Sequence, residues 1–382
     1  MKNKFFRSFI CSLILITMIS CGTKANNEIY NKVYNVDIDL NQIDEAFIPA
    51  VERASESTLG ITSYSRKSLL QAWQIVSVGS CVIYETKCVL NDGTNISYEE
   101  SFERDDIAYY EYKAITNAHV LAKENSFMKY TIYDGETNNT FELEILSKDN
   151  ELDLAVVEFQ SPTLYIPIVF SDNVEVKKGQ IVLAIGNANG YEYYSSATMG
   201  IISYPNRLVE ESSLAIEYIQ HDAAINPGNS GGALVDINGN LIGINTSKIV
   251  DDDIDGMGFA IPINTVLSVI ERLENGKEIK KLSTGLTGKS INDVRLDAIL
   301  NENEYNIIDY KKLEYGYIVE EVSDQSIFKK YLLKNDVILE VDSKIIYSEL
   351  ILKNKIMLLE KGDSFSIKIL RQNIIKDITI TL

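Results

Sequence analysis

What most limits the folds open to this chain is the rhythm of its middle. From Ser63 to Gly258, apolar residues come in short runs rich in β-branched and aromatic side chains, at 74–78, 114–116, 130–133, 155–159, 181–185 and 241–245. Asp92-Gly93, Asp134-Gly135 and Asn238-Gly239 stand between runs, and such pairs favour the positive backbone angles of tight hairpins. Helical periodicity does not alternate with the runs. Antiparallel barrels or sandwiches are therefore expected rather than a parallel α/β sheet. One helix breaks the pattern, with Asn264 as its cap, Val266, Leu267, Val269, Ile270 and Leu273 as an apolar stripe, and Gly276 as its stop. The charged stretch 277–281 then reads as a linker to a separate α+β unit of strands around short helices.

The 382 residues carry 55 Asp and Glu against 36 Lys and Arg, a formal charge of −19. A field of that sign repels phosphate backbones and disfavours nucleic acid as a partner. Two His and four Cys all but exclude a multi-His metal site and a disulfide scaffold. Neither cofactor nor metal is expected. Gly288-Lys289-Ser290 imitates the tail of a phosphate-binding loop but has Ser283 where its first Gly belongs. Asp251, Asp253, Asp255 and Gly256 imitate a calcium loop that would end on Pro262 instead of Glu. Cys81 and Cys88 are open to two readings, a small hairpin disulfide or free thiols packed as small hydrophobes.

At the start, Lys2, Lys4 and Arg7 precede an apolar run, 9–19, too short for a comfortable membrane span. It ends Thr17-Met18-Ile19-Ser20-Cys21-Gly22, which resembles a bacterial lipobox in which Cys21 is lipidated and becomes the new N-terminus. Residues 1–20 are then a lipoprotein signal peptide and 21–43 a polar tether. The expected location is extracytoplasmic, anchored by lipid to the cell membrane. An ordinary signal cleaved nearby is the alternative.

The strongest local signal is Asn226-Pro227-Gly228-Asn229-Ser230-Gly231-Gly232. A serine hydroxyl is a weak nucleophile that needs a base beside it and donors for the oxyanion it creates. Glycines around Ser230 let the backbone turn tightly, so that the N–H groups of Gly228 and Ser230 can aim at one point. Of the two histidines, His119 lies at a strand end in Thr116-Asn117-Ala118-His119-Val120 and is the candidate base. His221 is expected on a strand leading to the nucleophile loop, its side chain facing solvent or a neighbouring strand, and to be dispensable. Asp153 precedes the apolar run Leu154-Ala155-Val156-Val157, as a buried acceptor for an imidazole N–H should, whereas Asp149 and Glu151 read as solvated strand-start acids. The chain order His119, Asp153, Ser230 is the chymotrypsin order, not that of subtilisins or α/β-hydrolases.

These segments together resemble the HtrA/Deg family of serine proteases. Thr116 to Val120 is similar to its His motif, Leu152 to Val157 to its Asp motif, Gln220 to Leu234 to its nucleophile segment and Gly258 to Pro262 to the segment closing its second barrel. The resemblance implies a mainly β fold: a chymotrypsin-like double β-barrel protease domain over 44–277, then a small α+β PDZ-like domain over 278–382. It implies His119 as general base and acid, Asp153 as the holder of its tautomer, Ser230 as nucleophile, and an oxyanion hole at Gly228, Asn229 and Ser230. A substrate pocket is expected near Ala224, Ile225, Ile244, Asn245 and Thr246, uncharged and suited to small or medium apolar side chains. Gly285, Leu286, Thr287 and Gly288 stand where a PDZ domain binds a peptide carboxylate, although Asn335 replaces the usual Gly before Asp336.

Implied partners are unfolded or damaged polypeptides and their C-termini, with assembly as a homotrimer. About thirty acidic, Tyr-rich residues, roughly 85–112, are extra to the family pattern and are expected to cover the cleft or to alter assembly. The competing function is a peptide-binding chaperone or adhesin-like lipoprotein that keeps the fold with little turnover.

Overall fold

The structure, a computed structural model, describes residues 40–122, 127–171, 175–188, 190–211, 214–249, 256–293 and 313–382. Cys21, the signal and tether up to residue 39, and the acids of 251–255 lie outside the described residues. The chain divides into two units, Met1–Asp44 and Glu45–Leu382. Helix α1 (Leu40–Glu56) leads into the second, where Ala50 and Ala54 are fully buried.

Seven strands make the first sheet: β1 (Thr58–Arg66), β2 (Gln74–Leu90), β3 (Asn95–Ser97), β4 (Ile107–Thr116), β5 (Phe127–Asp134), β6 (Asn139–Asp149) and β7 (Leu154–Ser161). Their order is β1-β5-β6-β7-β4-β2-β3, and the sheet closes on itself because β1 also pairs with β2. The run at 154–157 shows why a strand can be apolar throughout. Ala155 and Val157 fill the barrel interior with Leu59, Ile61, Ile83 and Ile132, while Leu154 and Val156 face the second barrel, so both faces are buried.

The second barrel is closed in the order β10-β13-β12-β11-β8-β9, from β8 (Ile181–Ala188), β9 (Tyr193–Glu211), β10 (Leu214–His221), β11 (Ala233–Val235), β12 (Leu241–Thr246) and β13 (Gly258–Pro262). Val182, Ala184, Ile202, Ile219, Leu234, Ile242 and Ala260 fill it. A shared core joins the barrels: Val82, Ile115 and Val156 meet Ile185, Ala233 and Ile244 beside helix α2 (Ile263–Glu274). This helix corrects the expected start. Pro262 is its cap residue, Asn264 lies inside its first turn, and the buried stripe is Ile263, Val266, Val269 and Leu273, with Leu267 exposed. Gly276, at φ 62°, stops it.

The extra segment lengthens the first barrel. It forms the far halves of β2 and β4 and the small strand β3, and it buries Cys88, Leu90, Tyr110 and Tyr112 around Phe159. The free end of β4 is Ile107, and at about 3.3 Å per residue it lies roughly 30 Å from the other end, where His119 follows. The tip of this hairpin therefore stands at the end of β4 away from His119. Cys81 and Cys88 are buried free thiols, and burial pushes the Cys81 thiol up to about 12, which keeps it protonated.

A third sheet has the order β14-β15-β16-β18-β19, from β14 (Leu286–Ser290), β15 (Tyr317–Val322), β16 (Val337–Val341), β17 (Lys344–Ile345, paired with β16), β18 (Ser364–Arg371) and β19 (Ile374–Thr381). Helix α3 (Glu349–Ile356) covers it through Ile351, Leu352 and Ile356. Asn335 stands at φ 71°, a left-handed position that Asn tolerates better than most residues, so it can replace glycine there. On its other side α3 rests on the β9–β10 hairpin: Lys353 pairs with Glu210 at 3.2 Å, and Asn354 Nδ2 donates to the Ala215 carbonyl at 3.0 Å.

Candidate active site

Strands β4 and β7 are antiparallel neighbours with Thr116 opposite Ala155, so barrel topology brings His119, just after β4, beside Asp153, just before β7. The turn ahead of β7 is shaped by Asp149, whose Oδ1 accepts the N–H groups of Glu151 at 3.0 Å and Leu152 at 2.9 Å. Lys281 binds the other Asp149 oxygen at 2.6 Å and Glu151 at the same distance. Glu151 is exposed, as expected, whereas Asp149, also read from sequence as solvated, instead builds and braces the turn. Asp153 leaves it at φ 56°, in the left-handed region, with its carbonyl held by Asn117 Nδ2 at 3.0 Å.

The Asp153 carboxylate is buried and fully engaged. Oδ1 accepts the His119 backbone N–H at 3.0 Å, His119 Nδ1 lies 3.0 Å from Oδ1 and 2.8 Å from Oδ2, and Thr246 Oγ1 donates to Oδ2 at 3.1 Å. With Nδ1 donating to the carboxylate, the imidazole lone pair is on Nε2. The His119 side chain keeps 34% of its surface accessible.

The nucleophile loop belongs to the second barrel but is held by the first. Ser80, on β2, donates its hydroxyl to the Gly228 carbonyl at 2.8 Å, accepts the Asn187 N–H at 2.8 Å, and donates its own N–H to the Ser230 carbonyl at 2.8 Å. A Cβ at Gly231, whose φ is 83°, would lie 2.1 Å from the Ser80 carbonyl oxygen, so the approach of the two barrels requires glycine there. Within the loop, Asn229 N–H donates to Asn226, Gly231 N–H to Asn245 and Gly232 N–H to Asn229. The N–H groups of Gly228 and Ser230 donate to no backbone carbonyl among the described residues. Asn229 departs from its expected place in the oxyanion hole: its N–H is committed to Asn226, and its buried side chain lies against Gly186.

Ser230 Oγ is 2.7 Å from Ser247 Oγ and accepts the Ser247 N–H at 3.0 Å, and among the described residues it forms no hydrogen bond with His119. Thr246 binds Asp153 while the next residue binds Ser230, and consecutive Cα atoms are about 3.8 Å apart. Imidazole, carboxylate and hydroxyl are therefore brought to the same junction between the barrels. Of the two orientations expected for His221, the neighbouring strand is the one found: a Cβ at Gly258, its partner on β13, would lie 2.5 Å from the ring Cε1. His221 is fully buried, and burial pushes its pKa down to about 4 against the opposing pull of Asp222 and of the polar groups of Ala223, Asn245 and Phe259 beside the ring.

The residues expected to line a pocket divide. Ala224 is exposed and Ile225 half-buried, but Ile244 packs in the inter-barrel core, Asn245 donates to the Ala233 carbonyl at 2.7 Å, and Thr246 serves Asp153. In the third sheet, Leu286, Thr287 and Gly288 belong to β14, and Gly285 lies in the turn before it. The expected carboxylate cradle is already engaged: Gly285 N–H faces Ser283 Oγ and Leu286 N–H faces Thr284 Oγ1, each at 3.3 Å, and the Thr284 hydroxyl donates to the Glu349 carboxylate at 2.6 Å. Sequence reasoning missed Ser80, Ser247 and Glu349. Each acts through a contact with a residue distant in the chain, which leaves no local sequence signal.

A family model described as trypsin-like peptidase domain matches residues 107–244, and one described as PDZ domain matches 307–382. The chain is 32% identical over 274 residues to the serine protease Do-like HtrB of Bacillus subtilis (strain 168), covering 70% of this chain and 58% of that protein. It is 35% identical over 263 residues to the serine protease Do-like HtrA of the same organism, covering 67% and 57%. It thus spans rather more than half the length of these curated relatives. Among solved structures, the HtrA-type protease AlgW with tripeptide is 28% identical, with a TM-score of 0.59 over 88% of this chain and 96% of that one.

Proposed function

We propose that this chain, a homologue of the HtrA/Do-like serine proteases built from a trypsin-like peptidase domain and one PDZ domain, is a serine endopeptidase acting on unfolded or damaged extracytoplasmic polypeptides. The observation that carries the reading is the Asp153–His119 pair, 2.8 Å at its shortest, at the barrel junction where Thr246 contacts Asp153 and the next residue contacts Ser230. His119 Nε2 takes the Ser230 proton as Oγ attacks the peptide carbonyl carbon, and Asp153 stabilises the imidazolium that results. The Gly228 and Ser230 N–H groups receive the oxyanion. His119 then returns the proton to the leaving amine, and water releases the acyl group by the same steps in reverse.

Cys21 lipidation tethers the protease to the outer face of a membrane, and the chain works as a homotrimer. Both parts of the reading rest on the lipobox and on the family resemblance. The test uses the full chain purified in mild detergent, with unfolded casein and a fluorophosphonate probe. The chain is expected to cleave casein and to gain the probe mass at Ser230, and Ser230→Ala and His119→Ala to lose cleavage by at least 10³-fold. Equal cleavage by the parent and Ser230→Ala would reject the reading.

A further inference from the structure

We propose that Ser247 is a positioning residue that holds the Ser230 hydroxyl in a resting orientation, turned from His119, and that attack begins with release of this contact. The proposal rests on the endopeptidase reading and concerns the same site. A hydroxyl has one proton and two lone pairs. Ser230 Oγ accepts the Ser247 N–H at 3.0 Å and lies 2.7 Å from Ser247 Oγ, and with its proton given to that oxygen none is left to face His119. His119 meanwhile is fully oriented by Asp153, with Nδ1 engaged and Nε2 ready. The base is thus prepared and the nucleophile is occupied elsewhere.

The position of Ser247 suits a releasable contact. The pairing of β12 with the nucleophile loop runs through Asn245, which donates to the Gly232 carbonyl and accepts the Gly231 N–H. Ser247 lies just beyond the end of β12 and is half-buried, so moving it breaks no strand pairing. Thr246 stays on Asp153, so release of Ser247 leaves the carboxylate–imidazole pair intact.

The test compares fluorophosphonate labelling rates, per folded molecule, of the full chain, Ser247→Ala and Ser247→Thr. In this reaction the Ser230 Oγ–P bond forms, the P–F bond breaks with loss of fluoride, and the proton passes to His119. Removing one neutral hydrogen bond is expected to raise the Ser247→Ala rate about five-fold. The midpoint of its pH profile stays unchanged because the base is untouched, kcat/KM on a peptide substrate rises in parallel, and Ser247→Thr returns the rate to that of the parent. A Ser247→Ala rate equal to or below the parent's, or a threonine variant as fast as the alanine variant, overturns the proposal. If no chain is labelled at all, the endopeptidase reading falls and this one with it; labelling at equal rates removes only the role of Ser247.

Discussion

Single side chains in this molecule matter through what they are buried against. His221 is the sharpest case: a full imidazole buried in the second barrel, with its pKa pushed down to about 4 by that burial. In the unfolded chain the same group titrates near the ordinary value of about 6.5. The folded state therefore binds this proton less readily. Above pH 6.5 both states are neutral and the group has no effect on stability. As pH falls from about 6.5 toward 4, stability is lost at up to about 1.4 kcal/mol per pH unit, some 3 kcal/mol in all. His221→Leu, close in volume, is expected to melt at least as high as the parent at pH 7.5 and to gain on it steadily down to pH 4.5. A difference in melting temperature that stays constant across that range would contradict the assignment. Sequence alone marked His119 as the base because it ends a strand, but it had no means of seeing that His221 points inward, since a period-two pattern gives alternation without saying which face is core.

Among the elements, the turn before β14 and helix α3 illustrate how a recognisable motif can be altered by a neighbour distant in sequence. Gly285 to Gly288 is the segment expected to cradle a peptide carboxylate, yet the Glu349 carboxylate in the first turn of α3 already takes the hydroxyl of Thr284, just ahead of it, at 2.6 Å. A second carboxylate brought there meets like charge and a donor already in use. Glu349→Gln is expected to strengthen binding of a peptide with a free C-terminal carboxylate by about five- to ten-fold, read by fluorescence anisotropy against the same peptide amidated. Equal affinities of parent and variant for both peptides would show that Glu349 has no such effect. The strands of this sheet were legible from their apolar runs; the occupied turn was not, because Thr284 and Glu349 lie 65 positions apart.

For the molecule as a whole, the third sheet is joined to the second barrel through α3 and the β9–β10 hairpin. Leu208 packs against the core of the third sheet, Lys353 meets Glu210, and Lys344 meets Glu217. Exposed pairs of this kind contribute about 0–1 kcal/mol each and weaken with salt. Their removal alone should matter little, whereas reversal places like charges face to face. Lys344→Glu with Lys353→Glu is expected to separate the two parts, with a larger radius of gyration by small-angle scattering at low salt that returns toward the parent value near 1 M salt. An unchanged radius would mean that the apolar contacts suffice.

Alternation, turn residues and the glycines flanking Ser230 act over short stretches of chain, so the strands of both barrels and the motifs at their junction are legible in the sequence. Tertiary structure alone decided that Asp149 and Lys281 brace the turn bearing Asp153, that Ser80 fastens the nucleophile loop across the barrels, and that Ser247 engages Ser230. Each of these is a hydrogen bond or ion pair between groups far apart in sequence, set by strand register and barrel closure. No local pattern encodes such a contact.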